Sequence, residues 1–258
     1  LVSGFWSLVS LKKISKNPWN FPQYFHILHP MKLLIIGDVH GCYYSLKALI
    51  NRYWDAETTH LIQLGDLINK GPHSGCCVRY WQELEQRYPE RVTLLRGNHE
   101  QMYLDACREK KKESFAKKLS KDFKAAGLKP SQVRDWLYGK PLLWKNDHLL
   151  ITHAGVAKNA DDDIWDDQNK KGVLYYKGEL SFLPQKQVIG HNIVEGGKPL
   201  FSPKENAWRI DTGLWQNGIL TSLLLSPNGV KQAVYQQVMD SRDQNPDKDY
   251  LPLSSPSL

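Results

Sequence analysis

The chain has 258 residues and a formal net charge of +7, with 41% hydrophobic and 24% charged residues. That balance is ordinary for one large globular domain or two small ones, and it argues against a disordered or fibrous chain. No apolar run approaches the ~20 residues that a membrane-spanning helix needs.

The segment before Met31 is rich in Trp, Phe and Pro and lacks the basic-then-apolar order of a signal peptide. Residues 1–30 are therefore expected to be an appendage, with the domain starting at Met31. Leu33–Ile36 is a continuous apolar run and predicts a buried strand that ends in Gly37-Asp38-Val39-His40-Gly41. A helix is expected over about Tyr43–Tyr53, with Leu46, Leu49 and Ile50 on one face. His60–Leu64 predicts the next strand and ends in Gly65-Asp66. A helix over about Cys76–Arg87 follows, stopped before Pro89. Arg91–Leu95 predicts a third strand ending in Arg96-Gly97-Asn98-His99-Glu100.

Strand, ligand-rich glycine turn and helix thus recur three times. The alternation predicts right-handed β-α-β units in a partly parallel sheet. Residues 100–140 read as charged and helical, broken by Gly127 and Pro130. They include eight lysines between Lys110 and Lys129, either a solvated helical face or a basic rim that steers phosphorylated substrates. The second half turns to β structure. His148–Thr152 leads into His153-Ala154-Gly155, Gln187–Ile189 into Gly190-His191, and Trp208–Ile210 into Asp211-Thr212-Gly213. Ile219–Leu225 and Val230–Val238 read as a hairpin across Ser226-Pro227-Asn228-Gly229. Residues 240–258, rich in Asp, Pro and Ser, are expected to be a mobile tail.

The strand ends carry two Asp, one Asn and three His: Asp38, Asp66, Asn98, His40, His153 and His191. Mixed oxygen and imidazole donors suit borderline divalent metals such as Mn, Fe, Zn or Co and are a poor match for Ca. Six ligands exceed what one open catalytic zinc accepts. They suit two ions about 3.5–4 Å apart that share a carboxylate and clamp a phosphoryl group. Each residue alone has a plain structural reading, as a helix cap or a hydrogen-bonded core histidine. Five clusters at five strand ends do not.

As a set, the motifs from Gly37-Asp38-Val39-His40-Gly41 through Gly65-Asp66, Arg96-Gly97-Asn98-His99-Glu100 and His153-Ala154-Gly155 to Gly190-His191 resemble the phosphoprotein phosphatase superfamily of metallophosphoesterases. The resemblance runs over about Met31–Val238. It implies a four-layer α/β fold, a calcineurin-like β-sandwich flanked by helices, spanning 31–239 with the helical insertion at about 100–140. It implies two divalent ions, Mn first among the candidates. Asp38, His40 and Asp66 would hold the first, Asp66 would bridge, and Asn98, His153 and His191 would hold the second. It also implies His99 as proton donor to the leaving oxygen, Arg96 as the phosphate fork, and attack by a metal-activated hydroxide without a phospho-enzyme.

One motif departs. Protein phosphatases of this superfamily usually carry Asp and Arg where this chain has Asn69 and Lys70. Asn69 can bond His99 but brings no charge, and Lys70 neutralises phosphate without a fork. Gly65-Asp66-Leu67-Ile68-Asn69-Lys70-Gly71-Pro72 looks instead like the diadenosine tetraphosphatase branch, and most like its ApaH-like phosphatases. That likeness implies phosphoanhydride substrates, whose phosphate leaving group needs less acid assistance than a serine alkoxide. The competing expectations are a serine/threonine protein phosphatase of the same fold and a non-catalytic phosphate-binding scaffold. Substrates would be a phosphorylated small molecule, polyphosphate or a phosphoprotein, with no membrane partner and nucleic acid only as a capped or dinucleotide substrate. Four cysteines without a CxxC pair point to reduced thiols and a cytoplasmic setting. Asp161, Asp162, Asp163, Asp166 and Asp167 read as a solvated acidic loop.

Overall fold

The computed structural model describes residues 31–109, 113–160 and 163–244. The expected appendage, Asp161 and Asp162, and the tail beyond residue 244 lie outside the described residues.

Strand β1 (Lys32–Ile36) sits at the centre of a five-stranded sheet. It pairs parallel with β2 (Thr59–Gln63), which pairs parallel with β3 (Val92–Leu94). The connections between them are α1 (Tyr43–Tyr53) and α2 (Ser74–Arg87). The continuous apolar run of β1 has a simple cause, since both faces of the strand are covered. Leu34 and Ile36 face the helices, in one cluster with Leu46, Leu49 and Trp81. Leu33 and Ile35 face the second sheet, in a cluster with Ile151, Val188 and Ile210. Alternate side chains thus enter two different cores.

The chain then runs through α3 (Asn98–Arg108), α4 (Glu113–Ala125) and α5 (Pro130–Tyr138). Gly127, at φ +77°, turns the chain after α4, and Pro130 starts α5 where its missing N–H costs nothing. Leu119 and Phe123 of α4 are buried in the same core as Trp81, and the Phe123 ring meets Tyr103 edge-on at 5.3 Å. The described residues of the 100–140 segment are therefore built into the helical layer. Lys117, Lys118, Lys121 and Lys124 line its exposed side.

The second sheet orders β4 (Leu143–Lys145), β5 (Leu149–Thr152), β6 (Lys186–Ile189), β8 (Ala207–Arg209) and β7 (Leu200–Ser202). Its inner three strands are parallel and its edge strands antiparallel. Irregular chain carrying Tyr176 and Leu180 packs on Ile189 and Ala207. After the short helix α6 (Leu214–Asn217), β9 (Ile219–Leu225) returns beside β1 and pairs with β10 (Lys231–Val238), forming the expected hairpin.

Residues 240–244, expected to belong to the mobile tail, are part of the fold, the Asp240 N–H donating to Ser45 Oγ at 2.9 Å. Ser241–Gln244 form a helical turn, α7, and Asp243 is fully buried. Its carboxylate accepts from the backbone N–H of Tyr44 (3.2 Å) and of Ser45 (2.8 Å) and from the Ser45 hydroxyl (2.6 Å), capping the N-terminus of α1. No helix among the described residues is long and apolar enough to cross a membrane.

Candidate metal centre

Each candidate ligand hangs from the carboxyl end of a parallel strand. Asp38 and His40 follow β1, Asp66 follows β2, Asn98 opens α3 after β3, His153 follows β5 and His191 follows β6. The turns that aim them are tight. Among the described residues, His40, Asp66, Asn69, Lys70, His191 and Asn206 are the non-glycine residues with positive φ, and the first five belong to the site. A left-handed backbone costs an L-residue about 1–2 kcal/mol, so the strain is concentrated where side chains must converge. Gly97 is required by close approach, since a Cβ there would strike the backbone N and the carboxylate of Asp66.

Glu100 holds the strained loop. It is fully buried, and its carboxylate accepts four backbone N–H groups: Asp66 (2.7 Å) and Gly97 (2.8 Å) on Oε2, Leu67 (2.9 Å) and Ile68 (3.2 Å) on Oε1. Burial, with Asp66 nearby, pushes its carboxyl up to about 7, and the backbone donors oppose that rise.

Asp66 is the junction. One group of donor atoms joins His40, Asp66 and His99, another joins Asp66, His153 and His191, and within each group the atoms lie within 4.8 Å of one another. Oδ2 of Asp66 is 3.6 Å from His40 Nε2, and Oδ1 is 3.5 Å from His153 Nε2. Asp38 lies beside them, its two oxygens each 3.2 Å from the backbone N–H of His191. Asn98 Oδ1 lies 2.9 Å from His153 Nε2.

The histidines are held in tautomers that leave a lone pair toward this cluster. The Nδ1–H of His153 donates to Leu64 O at 2.9 Å, that of His40 to Ile68 O at 3.4 Å, and the Nε2–H of His191 to Tyr175 O at 3.2 Å. With Nδ1 of His153 protonated, its Nε2, Asn98 Oδ1 and Asp66 Oδ1 converge as acceptors with no donor among them. Burial lowers His40 and His191 to about 3, so both are neutral at pH 7. Burial would raise Asp66, but His153, His99 and His40 together hold it well below the usual carboxylate range. Burial, Asp211 and Asp66 push Asp38 up. Buried carboxylates and imidazoles that meet at shared points, each imidazole steadied by a backbone carbonyl, fit divalent cations.

His99 borders the cluster, its Nε2 3.8 Å from Asp66 Oδ2. As the Asn69 amide is oriented, its Nδ2–H donates to His99 Nδ1 at 2.7 Å, which leaves the imidazole proton on Nε2, facing inward. Lys70 Nζ donates to His40 Nε2 at 2.9 Å, so its ammonium rests against the nitrogen left free for a cation.

Arg96 is not brought into the cluster as a free fork. Its guanidinium donates to Gln101 Oε1 (2.9 Å), Asp167 Oδ2 (3.4 Å), Tyr138 O (3.0 Å) and Lys140 O (3.2 Å). Burial lowers its pKa. Asp167 of the acidic loop is thus partly paired, while its side chain stays half-exposed.

Several supporting residues are not evident from sequence alone. Glu100 stands in its motif without an assigned role, although glutamate three residues after a helix cap is a recognisable capping signal. Gln63, a buried amide inside an apolar run, ties the turns after β1 and β2, donating to Gly37 O and Gly65 O and accepting from Gly65 N–H. Asp211, to which the sequence assigns no ligand role, is buried and raised to about 6 by that burial, and it accepts from the Gly213 N–H at 2.9 Å. Among the aromatic residues near the motifs, Tyr43 is core, whereas Trp165 and Trp215 are exposed.

Comparison with known proteins accords with this geometry. A symmetrical bis(5'-nucleosyl)-tetraphosphatase of Hamiltonella defensa is 35% identical over 134 residues, 51% of this chain and 46% of that protein. A protein phosphatase 2A catalytic subunit of Dictyostelium discoideum is 28% identical over 131 residues, 51% of this chain and 36% of that protein. The matched stretch thus spans half or less of the length of these curated relatives. Among solved structures, one provisionally described as a diadenosine tetraphosphatase superposes with a TM-score of 0.55 at 21% identity, covering 81% of this chain and 95% of its own. A Saccharomyces cerevisiae serine/threonine phosphatase with similarity to human PP5 gives 0.59 at 15% identity, covering 81% and 80%. These likenesses carry the fold. The family model for calcineurin-like phosphoesterases matches residues 31–231, and the chain belongs to that family of metallophosphoesterases.

Proposed function

We propose that the protein is a two-metal hydrolase of phosphoanhydrides, with diadenosine tetraphosphate and related polyphosphates as its substrate class. The observation that carries the reading is Asp66, which lies in both donor groups and would be the carboxylate the two ions share. Asp38 and His40 would hold one ion with it, and Asn98, His153 and His191 the other. Mn is the first candidate, with Fe, Zn and Co served by the same donors. Two such ions supply charge neutralisation at a phosphoryl group and lower the pKa of a water.

The chain's own residues do the rest. To protonate a leaving oxygen His99 must first carry protons on both nitrogens; it would then give the Nε2 proton, which faces the cluster, and return to the neutral ring. Asn69, which donates to Nδ1 of the neutral ring, would turn its amide to accept from the charged imidazole, though without an aspartate's charge. A phosphate leaving group tolerates that weaker support. Lys70 is positioned to pass from His40 to a phosphate oxygen once a cation holds His40. Four free cysteines, among them the buried Cys42 and Cys77, fit a reducing, cytoplasmic setting.

The match to a protein phosphatase 2A catalytic subunit supports phosphoserine as the competing substrate. Metal-stripped protein, given back Mn, should cleave diadenosine tetraphosphate and polyphosphate faster than a phosphoserine peptide. A fastest phosphopeptide would move the chain to the protein-phosphatase branch, and no cleavage with any metal would make it a scaffold.

A further inference from the structure

Asn98 and Met102 stand one turn apart at the start of α3, and on a helix the side chain at i+4 reaches back over residue i. Here it reaches the amide. Asn98 Nδ2 donates to Met102 Sδ at 3.8 Å, while Oδ1 of the same amide points the other way, 2.9 Å from His153 Nε2. Asn98 is buried, whereas Met102 is 37% exposed, a large apolar side chain left at the surface beside a candidate ligand. Leucine would fill a similar volume there, but only the sulfur offers the amide an acceptor.

An asparagine amide has two orientations, related by a half-turn about its terminal bond. With Oδ1 inward, the amide joins His153 Nε2 and Asp66 Oδ1 as a third acceptor, and the three fit a cation. With Nδ2 inward, its N–H would donate to the lone pair on His153 Nε2, which Leu64 O keeps available by taking the Nδ1 proton. That second orientation satisfies itself and offers a cation no oxygen. The inner end of the amide thus favours, before a cation arrives, the orientation that cannot bind one. The outer end opposes it. Nδ2 outward donates to Met102 Sδ, whereas Oδ1 outward would set its lone pairs against those of the sulfur.

We propose that Met102 is a positioning residue that holds the Asn98 amide with its oxygen toward the second ion, the one that Asn98, His153 and His191 would hold with Asp66. The proposal rests on the reading of Asn98 as a ligand of that ion. Met102 touches no reacting atom; it acts through Asn98. The share of molecules with Oδ1 inward scales the apparent affinity for the second ion, so a change in that share changes the dissociation constant in proportion. One weak hydrogen bond shifts such a share by about fivefold.

The test is Mn calorimetry on the metal-stripped full chain, with thermal unfolding of the same samples before Mn is added. Met102→Leu keeps the volume and removes the acceptor. It should weaken the second Mn by about fivefold, with the first Mn and the metal-free Tm unchanged. Met102→Gln carries a carbonyl that accepts from the same N–H, and it should return the second Mn to the parent affinity. If the parent binds fewer than two Mn, or Asn98→Ala leaves the second unweakened, the reading of the site fails and the proposal with it. If the parent binds two and Asn98→Ala weakens the second, the site stands. The role of Met102 is then refuted by a Met102→Leu variant that binds as the parent does or loses both ions equally, or by a Met102→Gln variant as weak as Met102→Leu.

Discussion

Replacing Glu100 with Gln tests how the metal-bearing loop is held. At pH 8, above the value of about 7 that burial imposes, the carboxylate is ionised and accepts four backbone N–H groups. An amide keeps one acceptor oxygen and turns an NH2 toward either the pair from Asp66 and Gly97 or the pair from Leu67 and Ile68. Two bonds are lost, and donors then face donors around a fully buried side chain. Charge-assisted bonds are worth roughly 1.5–3 kcal/mol each, and breaking a buried network typically costs about 3–5 kcal/mol. A loss of about 4 kcal/mol corresponds to a fall in Tm of roughly 8–16 °C for a domain of this size. Because the same bonds hold Asp66 at φ 56°, Mn affinity should fall with stability, by about tenfold or more. Thermal unfolding and Mn calorimetry of the variant at pH 8 measure both. A variant within about 1 kcal/mol of the parent, with unchanged Mn affinity, would show that Glu100 does not hold the loop.

Lys70→Met should bind Mn about five- to tenfold more tightly by calorimetry, since it removes an ammonium 2.9 Å from His40 Nε2; turnover should fall because the phosphate loses a counter-charge. Weaker Mn binding would mean that Lys70 supports the site rather than competing for it. Asn69→Asp should shift the substrate preference toward phosphoserine peptide, because His99 then gains a charged partner in place of an amide; an equal loss on both substrates would refute that role. His60 is lowered from 6.5 to about 4, chiefly by burial, with its Nε2 against Thr93 Oγ1 at 2.8 Å. A depressed histidine leaves the fold fully stable above pH 6.5 and costs it stability as pH falls from 6.5 toward 4, in all roughly 3 kcal/mol. His60→Gln should flatten that part of a denaturant-midpoint-versus-pH curve relative to the parent, and identical curves would remove His60 from the account.

The parts legible in the sequence are those whose signal is local. β1 and β2 announce themselves because strands covered on both faces must be apolar throughout, and the site residues stand at once after those runs. The edge strands Leu143–Lys145 and Leu200–Ser202 carry no such signal, because two half-buried residues and one exposed one show no usable period. The turn around Asp243 resembles tail in its composition because its one buried carboxylate answers donors on α1, 198 residues away in sequence for Ser45. Arg96 is the instructive case. Its motif suggests a fork, but which anion it holds depends on Asp167, 71 residues on, in a loop whose composition signals only solvent. Residue types disclose what chemistry is possible, whereas long-range pairing decides which partner a charged group holds.

The central claim is a pair of ions joined through Asp66, and metal content measures it directly. After Mn reconstitution and desalting, the protein should retain two Mn per chain by elemental analysis, and Asp66→Asn should retain neither while still giving a cooperative unfolding transition. One ion per chain in the parent, or an Asp66→Asn variant that keeps both, would contradict the shared-carboxylate centre.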